Sequence, residues 1–588
     1  MTDVIIEHLD IWTSAVVTKK SAGRGSSKKQ ETYGIKKLRE LILELAVRGK
    51  LVPQDPNDEP ASVLLEKIAE EKERLIEEEK IKRHKPLPKI DDNFNPFKLP
   101  EGWSFVRLGD ITNRIGSGST PRGGKSAYVE KGIPFLRSQN IWNHGLNLYD
   151  VAYISEETHA KMSNTTVYEN DILLNITGGS LGRSTIFPSG IGEANVSQHV
   201  TIIRLTDITM KNYVHLCILS PYIQKMIWDR QVGVAREGLS KKVLELFEIP
   251  LPPIKEQYRI VKKVDELMAL CDKLEEEQEE NSITHQILVE TLLGTLTNVE
   301  IAEEFTGVWQ RIAEHFDVLF TTEQSIDKLQ ETILQLAVMG KLVPQDPTDE
   351  PASVLLKKIA EEKEKLVKEG KIKKQKPVSE IEEKEIPFSL PKSWTWARLS
   401  ELCILENGDR SKNYPNKSLL VDKGIPFINA GHLQNNMINI DDKSYITRDR
   451  YDLLRSGKVK EGDILFCLRG SLGKTALIKD IEFGAIASSL VIVRLFSIMY
   501  NKYTLAYFNS PLSKEIMKNY DNGTAQPNLS ASDLGKFLVP IPPLSEQYHI
   551  VKKLDELMVL CDRLRSAIRE LQTTQVNLAD AVAQQLVE

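Results

Sequence analysis

Side chains able to contact base edges and phosphates gather in a few short runs, and each run occurs twice along the chain with different residues. The first is Gly116-Ser-Gly-Ser-Thr-Pro-Arg-Gly-Gly-Lys125, which offers Ser117, Ser119, Thr120, Arg122 and Lys125. Its counterpart, Asn407-Gly-Asp-Arg-Ser-Lys-Asn-Tyr414, offers Arg410 and Lys412. After a shared GIPF stand Arg137, Gln139 and Asn140 in one place, Asn429 and His432 in the other. A shared GSLG carries Arg183 in the first copy and is flanked by Arg469 and Lys474 in the second. Gln198 and His199 precede one strand-like run, where Ser488 and Ser489 precede the other. Further on, Arg236 faces Gln526 and Asn528 across the comparison. Arginine can pair with guanine through two hydrogen bonds, and Asn or Gln with adenine. Backbone amides, hydroxyls and lysine hold phosphates. Arg137, Gln139, Gln198, His199, Arg236, Asn429, His432, Arg469, Gln526 and Asn528 are therefore candidates for base contact, and Lys125 and Lys474 for phosphate contact. Turns recruit the same amino acids for backbone reasons, which is the competing explanation for any one of them.

Catalytic arrangements are missing. Gly470–Thr475 (GSLGKT) resembles a phosphate loop, but Leu468 stands where its first glycine belongs. Gly123-Gly-Lys-Ser126 fails in the same way at Ser119. The Pro-Pro pairs sit in PLPP and PIPP, not in the Asn/Asp-Pro-Pro-aromatic run an amino-methyltransferase uses. HExxH, GxSxG and spaced His/Cys clusters do not occur. The five cysteines form no CxxC pair, so neither a disulfide framework nor a zinc site is expected. No apolar run reaches the roughly 18 residues of a membrane span. The N-terminus has acids where a signal peptide needs bases. The composition is that of a cytoplasmic protein with no membrane partner.

The elements that must position the polar runs are themselves repeated. Leu45–Ile76 and Leu336–Val367 agree at 27 of 32 positions, and Pro250–Leu274 and Pro540–Leu564 at 18 of 25. Fainter pairs are EHLD with EHFD and LPEGW with LPKSW. The chain is one unit written twice, as 1–298 and 308–588. Each unit opens with a short amphipathic helix (Val4–Val17; Trp309–Thr321). A second helix (Ile35–Val47; Ile326–Val338) follows and ends at Gly49 or Gly340. After a PQDP turn comes a charged helix, Ala61–Lys82 or Ala352–Lys373. The blocks 99–250 and 391–540 then mix strand-like runs with one helix each, Tyr213–Arg230 and Tyr503–Tyr520. A long helix closes the unit. Ile550, Leu554, Leu557, Cys561, Leu564, Ile568 and Leu571 step by fours and threes, a heptad seam. In the first copy Gln278, Asn281 and His285 interrupt it. The expected fold is α+β: two mixed α/β domains joined by long antiparallel coiled-coil helices with pseudo-twofold symmetry. The expected divisions are 1–98, 99–250, 251–390, 391–540 and 541–588. Between EHLD and LAVRGK the first unit is 16 residues longer than the second, and the excess coincides with Lys19–Gln30, read as a flexible basic linker.

Charge follows the same division. The chain is −6 overall, but 99–250 is +1 and 391–540 is +5, leaving −12 on the helical parts. Two shared scaffolds with unlike, neutral-to-basic loops suit two readers of different short DNA sequences. A coiled-coil scaffold whose α/β domains bind protein is the alternative.

ILELAVRGKLVPQDPNDEPA, its copy ILQLAVMGKLVPQDPTDEPA, LPEGW, and PLPPIKEQYRIVKK with its copy resemble the repeated conserved regions of the specificity (S) subunit of type I restriction-modification systems. The resemblance covers nearly the whole chain. It implies that each variable domain is a target recognition domain for half of a bipartite, asymmetric site in double-stranded DNA. It implies that the helices dock two methyltransferase (M) subunits, which bind S-adenosylmethionine and methylate adenine N6. Motor-nuclease (R) subunits, using ATP and Mg, would join them, and phage anti-restriction proteins are further candidate partners. The chain itself would hold no cofactor and do no catalysis.

Overall fold

The computed structural model describes residues 2–20, 28–83, 85–91, 93–230, 238–299, 302–374, 379–440, 444–521 and 527–588. They divide into two units, Met1–Asn281 with Glu570–Glu588, and Ser282–Arg569. No described helix is long and apolar enough to cross a membrane.

In the first unit the opening helix is broken at His8 into Thr2–Glu7 and Leu9–Ser14, because His8 leaves helical geometry at ψ 20°. His315 makes the same break in the second unit, between Ala302–Glu314 and Phe316–Leu319. The expected linker is ordered at both ends. Val17–Lys20 and Lys28–Glu31 pair as an antiparallel ribbon, and residues 21–27 lie outside the described residues.

The next helix is Tyr33–Val47, and Glu323–Val338 in the second unit. Each ends beside a glycine in the left-handed region, Gly49 at φ +68° and Gly340 at φ +71°. A side chain there would also collide with the repeated Leu-Pro-x-x-Trp segment. An added Cβ would stand 2.3 Å from Pro100 Cγ at Gly49 and 2.6 Å from Pro391 Cγ at Gly340. The charged helices, Ala61–Glu77 and Ala352–Lys368, are shorter than their charge pattern suggested. Positive φ at Glu79 and at Gly370 follows their ends.

The repeated motifs converge on one buried carboxylate per unit. Trp103 Nε1 donates to Glu256 Oε2 at 3.0 Å and Gln54 Nε2 donates to Oε1 at 3.1 Å. In the second unit Trp394 Nε1 and Gln345 Nε2 donate to Glu546 at 2.9 and 2.7 Å. Glu256 and Glu546 are 1% and 2% exposed. Burial raises both carboxyls above the usual range, while the donated hydrogen bonds pull them back.

The long helices are Ile254–Asn298 and Leu544–Val587. Their seams join clusters of shorter helices. In the first unit Ile260, Val264, Leu267 and Cys271 pack with Leu38, Leu41 and Leu45, and with Ala579 and Ala583 from the end of the second long helix. In the second unit Ile550, Leu554 and Cys561 pack with Ile326, Leu329 and Ile333, and with Val289 and Leu293 from the end of the first. Gln278 Nε2 donates to Thr13 O in the first unit, and His285 Nε2 meets Val318 O in the second. Two of the three polar residues that interrupt the first seam, Gln278 and His285, therefore have partners. Leu571 is 57% exposed, so the second seam stops at Ile568. Lys50 Nζ donates to Val587 O at 2.7 Å, and Lys341 Nζ to Thr297 O at 2.8 Å and Val299 O at 2.7 Å. The lysine of each LAVxGK motif thus caps the terminal carbonyls of the long helix that began in the other repeat, where cations are favoured.

Each unit then builds an α/β part on an antiparallel base, Ser104–Arg107 with Glu248–Leu251, and Thr395–Arg398 with Leu538–Ile541. Above it in the first unit lies a four-stranded antiparallel sheet in the order Ser184–Ile186, Ile172–Asn175, Val200–Leu205, Thr112–Ser117. A five-stranded mixed sheet carries one parallel pair, Ile133–Leu136 with Ala194–Val196. The second unit repeats the four-stranded sheet, and its smaller sheet keeps the parallel pair as Ile425–Ile428 with Ala485–Ile486. A buried ion pair locks equivalent strands, Arg204 to Asp171 at 2.6 Å and Arg494 to Asp463 at 2.7 Å. The single helix expected in each domain is two, Lys211–Leu219 then Pro221–Asp229, and Asn501–Asn509 then Pro511–Tyr520. Ser220 and Ser510 cap the second helix and proline occupies its first turn, which restarts the helix in a new direction.

Trp103→Phe should leave half of a buried carboxylate without its donor and cost about 1–3 kcal/mol, read as a lower unfolding midpoint. Trp394→Phe should behave alike, and an unchanged midpoint for both would remove the carboxylate from this role. A chain ending at Asn298 keeps, in residues 282–298, the counterpart of the segment 570–588 that the first unit uses. It should form a dimer in which each copy lends that segment to the other, weakened by Lys50→Ala. Light scattering that finds only monomer at every concentration would count against the exchange.

Candidate nucleic-acid interface

The scattered polar runs of the first domain meet at one rim, the end of the four-stranded sheet where Thr112–Ser117 stops and Val200–Leu205 starts. Gly118 allows the turn, because an added Cβ would stand 1.9 Å from Val196 O. Gly118 N donates to Val200 O at 3.0 Å and Ser119 N to Val196 O at 3.2 Å. Ser117 Oγ lies 3.1 Å from Thr201 Oγ1. Asn175 Nδ2 reaches Ser138 O at 2.8 Å and ties the GIPF turn to the same end. His199 Nδ1 is 2.7 Å from Thr177 Oγ1, so one ring nitrogen is engaged within the rim. The Arg183 guanidinium lies 3.9 Å from the centre of the Trp142 ring. Ser119, Thr120, Arg122 and Gln198 are exposed. Lys125 sits in a short helical turn, Gly124–Ala127. Its side chain, and Arg236, lie outside the described residues.

The second domain forms an equivalent rim. Gly408 takes the place of Gly118, with Ala487 O 2.8 Å from an added Cβ. Arg469 pairs with Asn528 across an antiparallel bridge, and Arg469 Nε donates to Asn528 Oδ1 at 3.1 Å. Thr177 and Gly238 make the matching bridge in the first domain. Arg469 thus stands where the first domain has a threonine. Arg410, Lys412 and Lys474 are exposed, and Gln526 lies outside the described residues. The GSLGKT loop joins two antiparallel strands, Ile464–Cys467 and Thr475–Leu477, so it has no following helix whose N-terminus could receive a phosphate.

Two residues expected from sequence to contact DNA, His432 among the base-contact candidates and Asn140 beside them, are built into the fold. Asn140 is 2% exposed, accepts from Arg137 N at 2.9 Å and donates to Asn147 O at 2.9 Å. His432 is 3% exposed, and its Nδ1 accepts from Asn429 N at 3.2 Å. The two occupy one structural position. Asn147 N donates to Asn140 O and Asn439 N to His432 O, both at 2.8 Å. Each side chain holds the turn after GIPF; beside Asn140, Arg137 and Gln139 are partly or fully exposed, whereas Asn429 Oδ1 accepts from Gly431 N at 2.8 Å within the second turn. Trp142, Thr177 and Asp150, which the sequence reading did not single out, also touch the candidate residues. Trp142 stands two residues beyond Asn140, and an aromatic that close to a polar loop is the signal that could have found it.

A family model described as the type I restriction modification DNA specificity domain matches residues 100–285 and again 391–571. The type I restriction enzyme EcoAI specificity subunit of Escherichia coli is 40% identical, over 98% of this chain and 98% of its own length. The EcoEI specificity subunit of Escherichia coli is 38% identical, over 98% of each. A crystal structure of the HsdS subunit from Thermoanaerobacter tengcongensis is 18% identical with a TM-score of 0.40, over 84% of this chain and 98% of that one.

Asn140→Ala and His432→Ala should each lower the unfolding midpoint, since each strands buried backbone groups at about 1–3 kcal/mol. Arg122→Ala and Gln198→Ala, on exposed side chains, should stay within about 0.5 kcal/mol of the parent. Equal midpoints for all four would undo the division between residues that build the rim and residues that face outward.

Proposed function

The chain belongs to the specificity subunits of type I restriction-modification systems, and on that premise we propose that each α/β domain reads one half of a bipartite, asymmetric site in double-stranded DNA. One observation carries the reading: two domains share a scaffold down to the buried ion pair and the rim glycine, yet present different polar side chains at the same rim. Exposed Gln198, and Arg137 and Gln139 beside it, supply guanine- and adenine-type donors in the first domain. Asn429, Arg469 and Asn528 supply a different set in the second. Lys474, Arg410, Lys412, Arg122 and Lys125 hold phosphates, a contact that positions without reading. The helical parts dock two adenine-N6 methyltransferase subunits carrying S-adenosylmethionine, and motor-nuclease subunits using ATP and Mg complete the enzyme in the cytoplasm. The chain contributes recognition and assembly, with no catalytic step of its own.

Replacing residues 99–250 with the matching domain of another specificity subunit should change one half of the methylated site and leave the other half as it was. Methylation mapping of host DNA reads this directly, and a change in both halves would refute independent reading.

A further inference from the structure

Arg137 and Gln139 differ from the other outward-facing candidates in sharing one acceptor. Gln139 Nε2 donates to Asp150 Oδ2 at 2.8 Å. Arg137 Nη2 donates to Asp150 O at 2.9 Å and approaches Oδ2 at 3.5 Å. The Asp150 side chain is 78% exposed. An ion pair that open to water adds little stability, so stability does not explain a carboxylate placed against a guanidinium and an amide. Its position is nevertheless fixed by the fold. The buried amide of Asn140 donates to Asn147 O at 2.9 Å and to Asp150 O at 3.4 Å, strapping residues 147–150 to the turn that carries Arg137 and Gln139. Arg137 Nε is buried without a hydrogen-bond partner, so its guanidinium makes its hydrogen bonds to Asp150 through Nη2. The result is a guanidinium and an amide held side by side on an acceptor that a base edge would have to replace.

We propose that Asp150 is a specificity-determining positioning residue: it holds Arg137 and Gln139 in reading geometry and releases them only to a base pair that supplies equivalent acceptors. This rests on the reading of the rim as a DNA-contacting surface. At a wrong base pair the two donors stay on Asp150 and gain nothing. Holding Arg137 against the carboxylate also withholds its charge from nearby phosphates, so off-site binding is weakened at the same time. Discrimination of this kind uses a penalty as well as an attraction.

The test uses the full chain assembled with its methyltransferase subunits. Binding is measured at several salt concentrations to a duplex with the mapped site, to its single-mismatch versions and to an unrelated duplex. Wild type must first discriminate among them. If it does not, the rim is not a reader, and the premise falls with the proposal before any variant is made. Given discrimination, Asp150→Ala should reduce the cognate-to-mismatch ratio by about 5- to 150-fold at the base pair that Arg137→Ala or Gln139→Ala also relaxes. It should also tighten binding to the unrelated duplex. The triple variant Asp150→Ala/Arg137→Ala/Gln139→Ala should lose no more discrimination than Arg137→Ala/Gln139→Ala. Asp150→Asn, which keeps an acceptor and drops the charge, should retain more of the ratio while still binding the unrelated duplex more tightly. Its unfolding midpoint checks that the loop is intact. An unchanged ratio in Asp150→Ala overturns the proposal. So does an additive loss at a different base pair, which would make Asp150 a reader in its own right.

Discussion

A carboxylate removed from water at the start of each long helix is the constraint on which the rest of the molecule depends. Glu256 and Glu546 cannot be buried cheaply, and each is satisfied by an indole and a side-chain amide from segments far away in sequence. The indole belongs to the segment that enters the α/β part. The amide belongs to the turn between two helices. The carboxylate begins the helix that leaves the α/β part. One polar contact thus fixes entry, exit and helical support together, and the Gly49 and Gly340 positions leave the room that the Trp segment needs. This accounts for the near-identity of those segments in both repeats. Any drift in one of the three would strand a buried charge or a buried donor.

The rims obey a weaker constraint. What they must keep is the backbone of the turn after GIPF, not the chemistry that holds it. An asparagine amide does this in one domain and an imidazole in the other, each accepting from the main-chain nitrogen three residues earlier. The outward residues beside them are then free to differ. A scaffold that fixes main chain through interchangeable buried acceptors can change what it presents without changing its shape.

Much of this was legible in the sequence. The repeat itself, the long helices and the central strands follow from identity and from apolar spacing, and the candidate residues from the contrast between copies. The breaks at Ser220-Pro221 and Ser510-Pro511 were written in the sequence too, as a cap followed by proline, but continuous apolar spacing hides a change of direction. Other features had no local signature. Asn140 and His432 look like exposed polar residues of a loop, and only tertiary burial makes them structural. The role of Lys50 depends on a carbonyl 537 positions away. The order at the ends of the Lys19–Gln30 insertion comes from cross-strand backbone pairing that a basic, glycine-containing composition does not announce.

The helix-end contacts carry an implication for the order in which the two units can close. The second unit is one continuous stretch, Ser282–Arg569, and Val289 and Leu293 pack within it. The first is made of two stretches, Met1–Asn281 and Glu570–Glu588. Its core residues Ala579 and Ala583 are separated from Leu38, Leu41 and Leu45, with which they pack, by the whole of the second unit. The core of the second unit can therefore form from nearer neighbours in sequence, while that of the first must wait for a long loop to close. The unit written first is thus the later of the two to be completed.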